Sequence, residues 1–492
     1  MTTTEVIQVA LSSSSLIWNF SWLMLNSLFS MSQKEIKVLV LSLLITTSIA
    51  SGVVWLVTNY FLDELLTIIQ LTHPQDSQIT ALISFGERIL TPGEVAPAKK
   101  DGVKAMGGKK FAQAIAHLNV ARNLNRNDPE TLMYLNNARI GAKTSYTIVA
   151  SVPIGTNPNA ALEILRGIAQ AQNEINTIGG IKGVQLRVGI ADDQDHPLLT
   201  QKIATQLVAN PSVLGVVGPY SSDVTLAAGQ VYTAGELVAI TPTSTSWKIT
   251  NFSPYIFRTV PSDVISARTL VSYMMTTLQK KNAVVFFNSQ SNYSQSLKSE
   301  FVSSVVQEGG QISGEFDLSQ PGFSPGKTLS QAIKQGSQVL MLAPSPDTLD
   351  RTLQLVQVNQ QRLSLLAGDN VYNLKTLEVG RQQALGMVVA VPWHIHSRSQ
   401  SSFSQNSRQL WGADVSWRTA TSYDATVALI TALKTNPTRL GIQQALSSPS
   451  FTADGAVGQI KFLKSGDRQA PVQLVKIIRG NRSGTGYDFE PI

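Results

Sequence analysis

The sequence predicts an α/β protein in which two doubly wound parallel-sheet lobes follow a transmembrane helix and a small helical hairpin. Three observations lead to this prediction. From Thr144 onward, short apolar runs alternate with amphipathic stretches, as strands alternate with helices in parallel-sheet proteins. Before this region, residues 98–142 place apolar side chains at three- and four-residue spacing. Earlier still, residues 38–62 contain no charged side chain.

Composition excludes several classes of protein and site. The chain has 492 residues, of which 43% are hydrophobic, so it can build packed cores. Only 14% are charged, against about 25% in typical soluble proteins, which favours a membrane or envelope location. The net charge of +7 comes without a long basic run, so we expect no nucleic-acid partner. The absence of cysteine excludes disulfides, zinc–thiolate sites and iron–sulfur clusters, and we expect no cofactor.

The run at residues 38–62 is long enough to cross a bilayer, which takes about 20 mostly apolar residues. Lys34 and Lys37 precede it, so we expect residues 1–37 in the cytoplasm and the rest of the chain outside the plasma membrane. The predicted location is the plasma (inner) membrane, with a single pass. A signal peptide cleaved near residue 50 is the alternative. Translation from Met31 is the favoured interpretation of the apolar stretch at residues 14–30, because MSQKEIK is a conventional n-region.

A spacer at residues 63–97 and a helical segment at residues 98–142 follow the predicted anchor. The apolar residues from Phe111 to Ala121 share one helical face, and Asp128-Pro129 can open a further helix. Residues 108–129 resemble one tetratricopeptide repeat, although such arrays usually need about three repeats. Two interpretations stay open. The segment is either a helical hairpin that spaces the main domain from the membrane or a surface for docking another protein.

The strand-forming runs of the main domain end in loops that carry hydroxyl groups. The runs are YTIVASVPI, VQLRVGIAD, VLGVVG, LVAITP, AVVFFN, QVLMLA, SLLAG and MVVAV. Helical stretches between them include residues 160–177, 197–209, 223–235, 265–279, 294–308 and 347–359. Ligands of such folds bind beyond the carboxyl ends of the strands. Two consecutive strand ends, at residues 218–222 and 241–247, are rich in Ser and Thr. These residues can bind an anion such as a carboxylate, or they can be ordinary helix N-caps.

A resemblance to a known family follows from an ordered set of sequence pieces. They are EINTIGGIKGVQLRV, GVVGPYSS, AITPTSTS, YIFRTVPSD, VVFFNSQSNYSQSLKSEF, AGDNVYN, TSYDATVALITAL and GAVGQIKFLKSGD. In this order they resemble the type I periplasmic binding proteins, specifically the branched-chain amino-acid (Leu/Ile/Val) binding family of ABC transporters. The resemblance covers residues 146–481. It implies two α/β lobes joined by three crossovers that close on a ligand, with lobe 1 at about 146–263 and 392–455 and lobe 2 at about 264–391 and 456–481.

The resemblance also implies a ligand site. Ser222 and Thr245 would hold the carboxylate of an amino acid. The carbonyl of Thr243 and the hydroxyl of Thr245 would help to hold its ammonium group, and Asp369 would be the acidic partner of that cation. Tyr293 would close over the ligand. No disulfide can form, although the family often has one.

Other positions are placed at the hinge or in the cleft. Asp263 falls at the first crossover, and Trp393 lies at a later crossover where it could line the cleft. Ser345 stands where the family often has an aromatic residue, which leaves the preference for aliphatic ligands open. His394 and His396 lack further ligands in sequence, so we expect no metal site.

The resemblance therefore implies a membrane-anchored, extracytoplasmic solute-binding protein. It would capture an amino acid or a related amide or carboxylate by lobe closure and deliver it to ABC permease subunits. The alternative is a ligand-sensing receptor or scaffold that signals to a partner protein. We expect no enzymatic activity, because Ser222 has no candidate base other than Asp369.

Overall fold

The computed structural model describes residues 76–397 and 402–492. The predicted cytoplasmic segment, the predicted anchor at 38–62 and the first part of the spacer lie outside the described residues. Within the two described ranges, no helix is both long enough and apolar enough to span a bilayer.

Helices dominate the part of the chain before the α/β domain. They are α1 (Asp76–Ala81), α2 (Pro97–Gly107), α3 (Phe111–Leu124) and α4 (Pro129–Ile140), with a short strand β1 (Ile83–Ser84) after α1. Proline occupies the first turn of α2 and of α4, where its missing N–H costs nothing. Asp128 caps α4 by accepting a 3.0 Å hydrogen bond from the Thr131 amide. The segment thus contains three consecutive helices, and the last of them is buried along nearly its whole length.

A buried ion cluster holds these helices together. The ammonium of Lys99 on α2 lies 2.6 Å from Asp128 and 2.7 Å from Glu130, and Glu130 is fully buried. Burial opposes the charge of Lys99, but the two carboxylates outweigh it and raise the pKa of Lys99. A carboxylate oxygen of Glu130 also accepts a 2.7 Å hydrogen bond from the amide of Leu90. The cluster therefore fixes the loop before α2 as well as the two helices.

The first sheet has six strands in the order β1-β3-β2-β4-β5-β6. The strands after β1 are β2 (Ser145–Val152), β3 (Gln185–Asp192), β4 (Val213–Val217), β5 (Ala239–Thr241) and β6 (Ile256–Arg258). They alternate with α5 (Pro158–Thr177), α6 (Pro197–Ala209) and α7 (Ser222–Ala234). All pairings are parallel except that of β1 with β3.

The second sheet has seven strands in the order β15-β14-β11-β10-β9-β7-β8. Its parallel strands are β7 (Asn282–Phe287), β8 (Gln311–Asp317), β9 (Val339–Ala343), β10 (Ser364–Ala367) and β11 (Val388–Val391). Its helices are α8 (Asp263–Ser272), α9 (Asn292–Gln307), α10 (Pro325–Lys334), α11 (Leu349–Asn359) and α12 (Leu374–Ala384). Two antiparallel strands, β14 (Gln473–Arg479) and β15 (Tyr487–Pro491), complete one edge.

The predicted α/β class is confirmed, and the sheets are mixed rather than wholly parallel. The antiparallel edge strands come from short segments outside the strand–helix alternation, so the alternation did not predict them. The chain returns to the first sheet after β11 with α13 (Ser402–Trp411), α14 (Trp417–Thr435), α15 (Arg439–Leu446) and the hairpin β12 (Ala453–Gly455) and β13 (Gly458–Ile460). Each sheet with its helices forms one lobe, and three crossovers join the lobes.

Gly167 allows α5 and α14 to pack closely. A Cβ atom at this position would lie 2.1 Å from the carbonyl oxygen of Thr419 and 2.2 Å from the hydroxyl of Ser422. We expect Gly167→Ala to lower the free energy of unfolding by about 2 kcal/mol, because the helices must separate. Gly326→Ala on α10 is the control, since its Cβ would meet nothing within 4 Å. Urea denaturation measures both, and equal stabilities of the two variants would contradict this interpretation of the packing.

Candidate functional site

A small cavity lies between the two lobes, beyond the carboxyl ends of strands from both sheets. The volume that the centre of a water molecule can occupy inside it is about 30 Å³. By the same measure one buried water needs about 10–15 Å³, so the cavity is small. Both lobes contribute to its wall, which consists of Tyr220, Ser221, Ser222, Thr243, Ser291, Tyr293, Pro346, Asp369, Asn370 and Trp417. This is the position at which parallel α/β sheets bind ligands.

The first lobe contributes two hydroxyl-rich loops that are bonded to each other. The hydroxyl of Thr243 donates a 2.6 Å hydrogen bond to the carbonyl of Tyr220. The hydroxyl of Ser222 accepts a 3.3 Å hydrogen bond from the amide of Ser246. Ser221 caps α7 through the amide of Val224. The N-cap role thus belongs to Ser221, while Ser222 joins the two loops beside the cavity.

The second lobe contributes an acid and a phenol. Asp369 begins a short 3₁₀ turn directly after β10, and Tyr293 lies in the first turn of α9. Burial raises the pKa of Asp369, while the nearby hydroxyl of Tyr293 and the charge of Arg418 oppose that rise. A Cβ atom on Gly368 would lie 2.3 Å from the Tyr293 hydroxyl, so only glycine lets the phenol approach the backbone this closely.

The structure brings four of the predicted ligand residues to one cavity: Ser222, Thr243, Tyr293 and Asp369. Thr245, Asp263 and Trp393 are not among the residues that line it.

Thr245 and Asp263 lie together behind the cavity wall. The carbonyl of Thr245 accepts a 2.9 Å hydrogen bond from the amide of Asp263 and a 2.8 Å bond from the guanidinium of Arg258. Trp393 is 1% exposed and packs edge-on against Phe403, with ring centroids 5.6 Å apart. Thr245, Asp263 and Trp393 are therefore buried outside the cavity lining.

The sequence did not predict Trp417, which begins α14 and lines the cavity. Its neighbour Arg418 lies with its guanidinium 4.4 Å from the centre of the indole ring. Arg418 is almost fully buried and pairs with Glu163 at 3.0 Å. Its charge acts on both Tyr220 and Asp369. No local signal could have found Trp417, because α14 reaches the cavity only through its packing on α5.

Several buried polar atoms around the cavity lack a hydrogen-bond partner among the described residues. They are the indole nitrogen of Trp417, one carboxylate oxygen each of Asp195 and Asp263, and the hydroxyl groups of Thr245 and Tyr293, although these two hydroxyls lie near enough to Asp263 and Asp369 to lower the pKa of those carboxyl groups. An unpaired buried polar atom costs about 1–3 kcal/mol, so proteins rarely keep several together without a use. Both lobes contribute such atoms. This arrangement is suited to a polar ligand that supplies the missing partners.

The cleft is rich in carboxyl groups. Burial raises the pKa of Asp263 to about 7, and Asp369 adds to that rise. Burial also raises the pKa of Asp195 to about 6, with further contributions from the charges of Asp223 and Asp347. Such a concentration of acidic groups favours a ligand that carries a positive charge.

The two lobes contact each other beside the cavity. The side-chain amide of Asn292 on α9 donates a 2.5 Å hydrogen bond to Asp223 on α7. The side-chain oxygen of Asn292 accepts a 2.6 Å bond from the ammonium of Lys248. The amide of Trp247 donates a 3.0 Å bond to the hydroxyl of Ser296. The structure is thus a closed arrangement of the two lobes.

The titration of Asp263 should affect the dependence of stability on pH. Its folded pKa of about 7 exceeds the unfolded value of about 4, so the free energy of unfolding falls as the pH rises between these values. We expect Asp263→Asn to flatten this fall, as measured by urea denaturation across that range. Burial also raises the pKa of Asp193 to about 7, so Asp193 should preserve part of the fall in the free energy of unfolding in this variant. If the free energy of unfolding of Asp263→Asn falls with pH as steeply as that of the wild type, the assignment of this titration to Asp263 is wrong.

The two histidines line a different pocket from these groups. Burial, followed by the charge of His396, lowers the pKa of His394 to about 4. The ring of His396 lies 2.8 Å from Asp414. Within residues 76–397 and 402–492, no three His, Asp or Glu side chains are grouped as a metal site would require. The two histidines instead contact each other, with ring centroids 5.4 Å apart.

Comparison with known proteins identifies relatives of the α/β domain. A sequence model of the family described as periplasmic binding protein matches residues 155–485. An amino acid binding protein of Pseudomonas aeruginosa is 35% identical over 102 residues, which cover 21% of this chain and 27% of that protein. The Leu/Ile/Val-binding protein homolog 3 of Brucella melitensis is 26% identical over 252 residues, or 50% of this chain and 67% of that protein. The aligned regions thus cover about a quarter and about two thirds of the lengths of these two relatives.

Solved structures share the fold. An ABC transporter substrate-binding protein from Desulfitobacterium hafniense in complex with Leu superposes with a TM-score of 0.59 and 22% identity, covering 71% of this chain and all of that one. A leucine binding protein from Thermotoga maritima gives a TM-score of 0.61 and 20% identity, covering 70% of this chain and 97% of that one. At these identities the likeness concerns the fold alone. The family match begins at residue 155, so helices α2 to α4 lie outside it.

Proposed function

Since the chain belongs to the periplasmic binding protein family, we propose that it captures an amino acid or a related small molecule between its two lobes and presents it to an ABC permease. The names of the relatives, which refer to leucine, isoleucine and valine, support the amino-acid class. Family membership also supports an extracytoplasmic location. No covalent chemistry is part of this proposal.

One observation carries the proposal: polar side chains from both lobes line one cavity, among them Ser222 and Thr243 from the first lobe and Tyr293 and Asp369 from the second. Ser222 and Thr245 would hold the carboxylate of the ligand. The carboxylate of Asp369 would hold its ammonium group, assisted by the carbonyl of Thr243. Tyr293 and Trp417 would cover the ligand from opposite lobes. Thr245, which lies behind the wall in the closed structure, would have to turn its hydroxyl from Asp263 toward the carboxylate.

The mechanism follows from the division of these residues between lobes. A ligand held by Ser222 on one lobe and Asp369 on the other binds the closed state more tightly than the open state, so it shifts the population toward closure. The contact between Asp223 and Asn292 would form at the same time. The permease would then read the closed surface.

The helical segment favours a second candidate function. Helices α2 to α4 lie outside the family match, and α4 packs directly on the first lobe. A partner bound to this segment could therefore sense the state of the lobes, as a receptor or scaffold requires. Together with the predicted membrane anchor at 38–62, this supports the signalling alternative. In that case the ligand site would be the same, but a signalling partner rather than a permease would bind the closed form.

A thermal-shift screen of the full chain in detergent micelles tests the proposal. The panel would contain the amino acids, urea, short amides and small carboxylates. A ligand that binds only the folded state stabilises it by RT ln(1 + [L]/Kd) and raises the melting temperature. We expect a shift with an amino acid that Ser222→Ala reduces. The absence of any shift across the panel would overturn ligand capture and direct attention to the helical segment.

A further inference from the structure

A second, larger groove lies where the helical segment meets the first lobe. It is an open groove of about 620 Å³, and none of its lining residues lines the cavity between the lobes. Its wall comes from α3, α5 and α13 and consists of Arg122, Asn123, Arg126, Asn173, Glu174, Asn406, Gln409 and Leu410. Four of these eight side chains are amides and two are guanidinium groups, so the groove offers mainly hydrogen-bond donors of positive or neutral charge.

Arg122 is held in the groove with one nitrogen unused. One guanidinium nitrogen donates a 2.8 Å hydrogen bond to the carbonyl of Leu410. The guanidinium carbon lies 5.0 Å from the centre of the Trp411 ring. The other terminal nitrogen is buried and has no partner among the described residues. The indole and the carbonyl therefore orient the group, while one strong donor remains available.

Arg126 follows α3, in the turn that leads to α4. Its aliphatic stem lies against Gly412 at the end of α13, where an added Cβ would be only 3.2 Å from it. Burial and then the charge of Arg126 lower the pKa of Arg122. Two cations that repel each other at one site favour an anion between them.

Within the described residues, neither arginine forms an ion pair with a carboxylate. Asp128, whose charge acts on Arg122, is already bound to Lys99 at 2.6 Å. Glu174, the acidic side chain of the wall, accepts hydrogen bonds from Tyr423 at 2.6 Å and from Gln170 at 3.1 Å. Because Glu174 can offset at most one of the two guanidinium charges, the groove keeps a net positive charge.

We propose that this groove binds a small oxyanion, a carboxylate or a phosphate, between Arg122 and Arg126, with the amides of Asn123, Asn406 and Gln409 as further donors. Guanidinium groups pair with such anions through parallel hydrogen bonds. The anion would bridge α3 and α13, and so would fasten the helical segment to the first lobe. The site is independent of the ligand cavity and lies partly outside the family match.

Isothermal titration calorimetry of the full chain in detergent, at constant ionic strength, tests this proposal. Citrate and succinate test whether the anion is a carboxylate, and inorganic phosphate tests whether it is a phosphate. We expect at least one of them to bind, with affinity reduced at least tenfold in Arg122→Gln and in Arg126→Gln. Arg126 is exposed and makes no described hydrogen bond, so its variant should fold even if Arg122→Gln does not.

Two controls make the outcome decisive. Arg139→Gln removes an exposed arginine of α4 that lies outside the groove, and it should leave binding unchanged. Ser222→Ala alters the part of the ligand cavity that would hold a carboxylate and should also leave anion binding unchanged. The proposal is overturned if none of the three anions binds, or if Arg126→Gln binds them as the wild type does. Loss of binding in Ser222→Ala alone would overturn it too, because the anion would then occupy the cavity between the lobes.

Discussion

Asp369→Asn is expected to weaken ligand binding by about 100-fold or more, with little change in the fold. Asparagine has nearly the same shape but lacks the negative charge that we assign to the ammonium group of the ligand. Loss of one partner of a buried, hydrogen-bonded charge pair costs about 2–5 kcal/mol, or about 30- to 5000-fold in affinity. Asp369 is buried and lines the cavity. Calorimetric titration with the amino acid that gives the largest thermal shift measures the effect.

The matched control is Asp350→Asn in the same lobe. Asp350 is an exposed acid that pairs with Lys375 on the surface, away from the cavity. Its variant should bind ligand as the wild type does. If Asp369→Asn keeps wild-type affinity while folding normally, the assignment of Asp369 to the ligand ammonium is wrong, even if the chain binds an amino acid elsewhere in the cleft.

Asp424→Asn is expected to lower the free energy of unfolding by about 3–5 kcal/mol, because it leaves a buried cation without its partner. Asp424 on α14 pairs with Arg468, and both side chains are fully buried. Arg468 also donates 3.2 Å hydrogen bonds to the carbonyls of Thr259 and Gly458. Asp424 accepts bonds from the amides that follow β12. The pair therefore ties α14 to the crossovers between the lobes.

Urea denaturation followed by circular dichroism measures this loss. The exposed pair of Lys375 and Asp350 provides the comparison, since breaking such a pair costs only about 0–1 kcal/mol. The double variant Asp424→Leu with Arg468→Met should recover part of the loss, because it removes both buried charges. A change below about 1 kcal/mol in Asp424→Asn would show that the pair contributes little to stability.

Local periodicity predicted much of the fold. The strand–helix alternation from Thr144 onward is realised in both sheets, and each of the eight apolar runs contains a strand. The prediction succeeds because hydrophobic spacing depends only on neighbouring residues. The hydroxyl-rich loops were also visible as strand ends, and the structure brings Ser222 and Thr243 to one cavity. The membrane anchor and the boundaries of the lobes stay predictions.

The sequence by itself determined the α/β class, the order of its elements and the location of candidate residues at strand ends, because these follow from short-range patterns. Only the tertiary structure decided which residues face the cavity. Trp417 enters it from a helix that returns to the first lobe, whereas Trp393 turns into the core beside Phe403. The groove of Arg122 and Arg126 forms between α3 and α13, whose contacts join residues 288 positions apart in the chain. Such juxtapositions arise from the packing of whole elements, which no local pattern encodes.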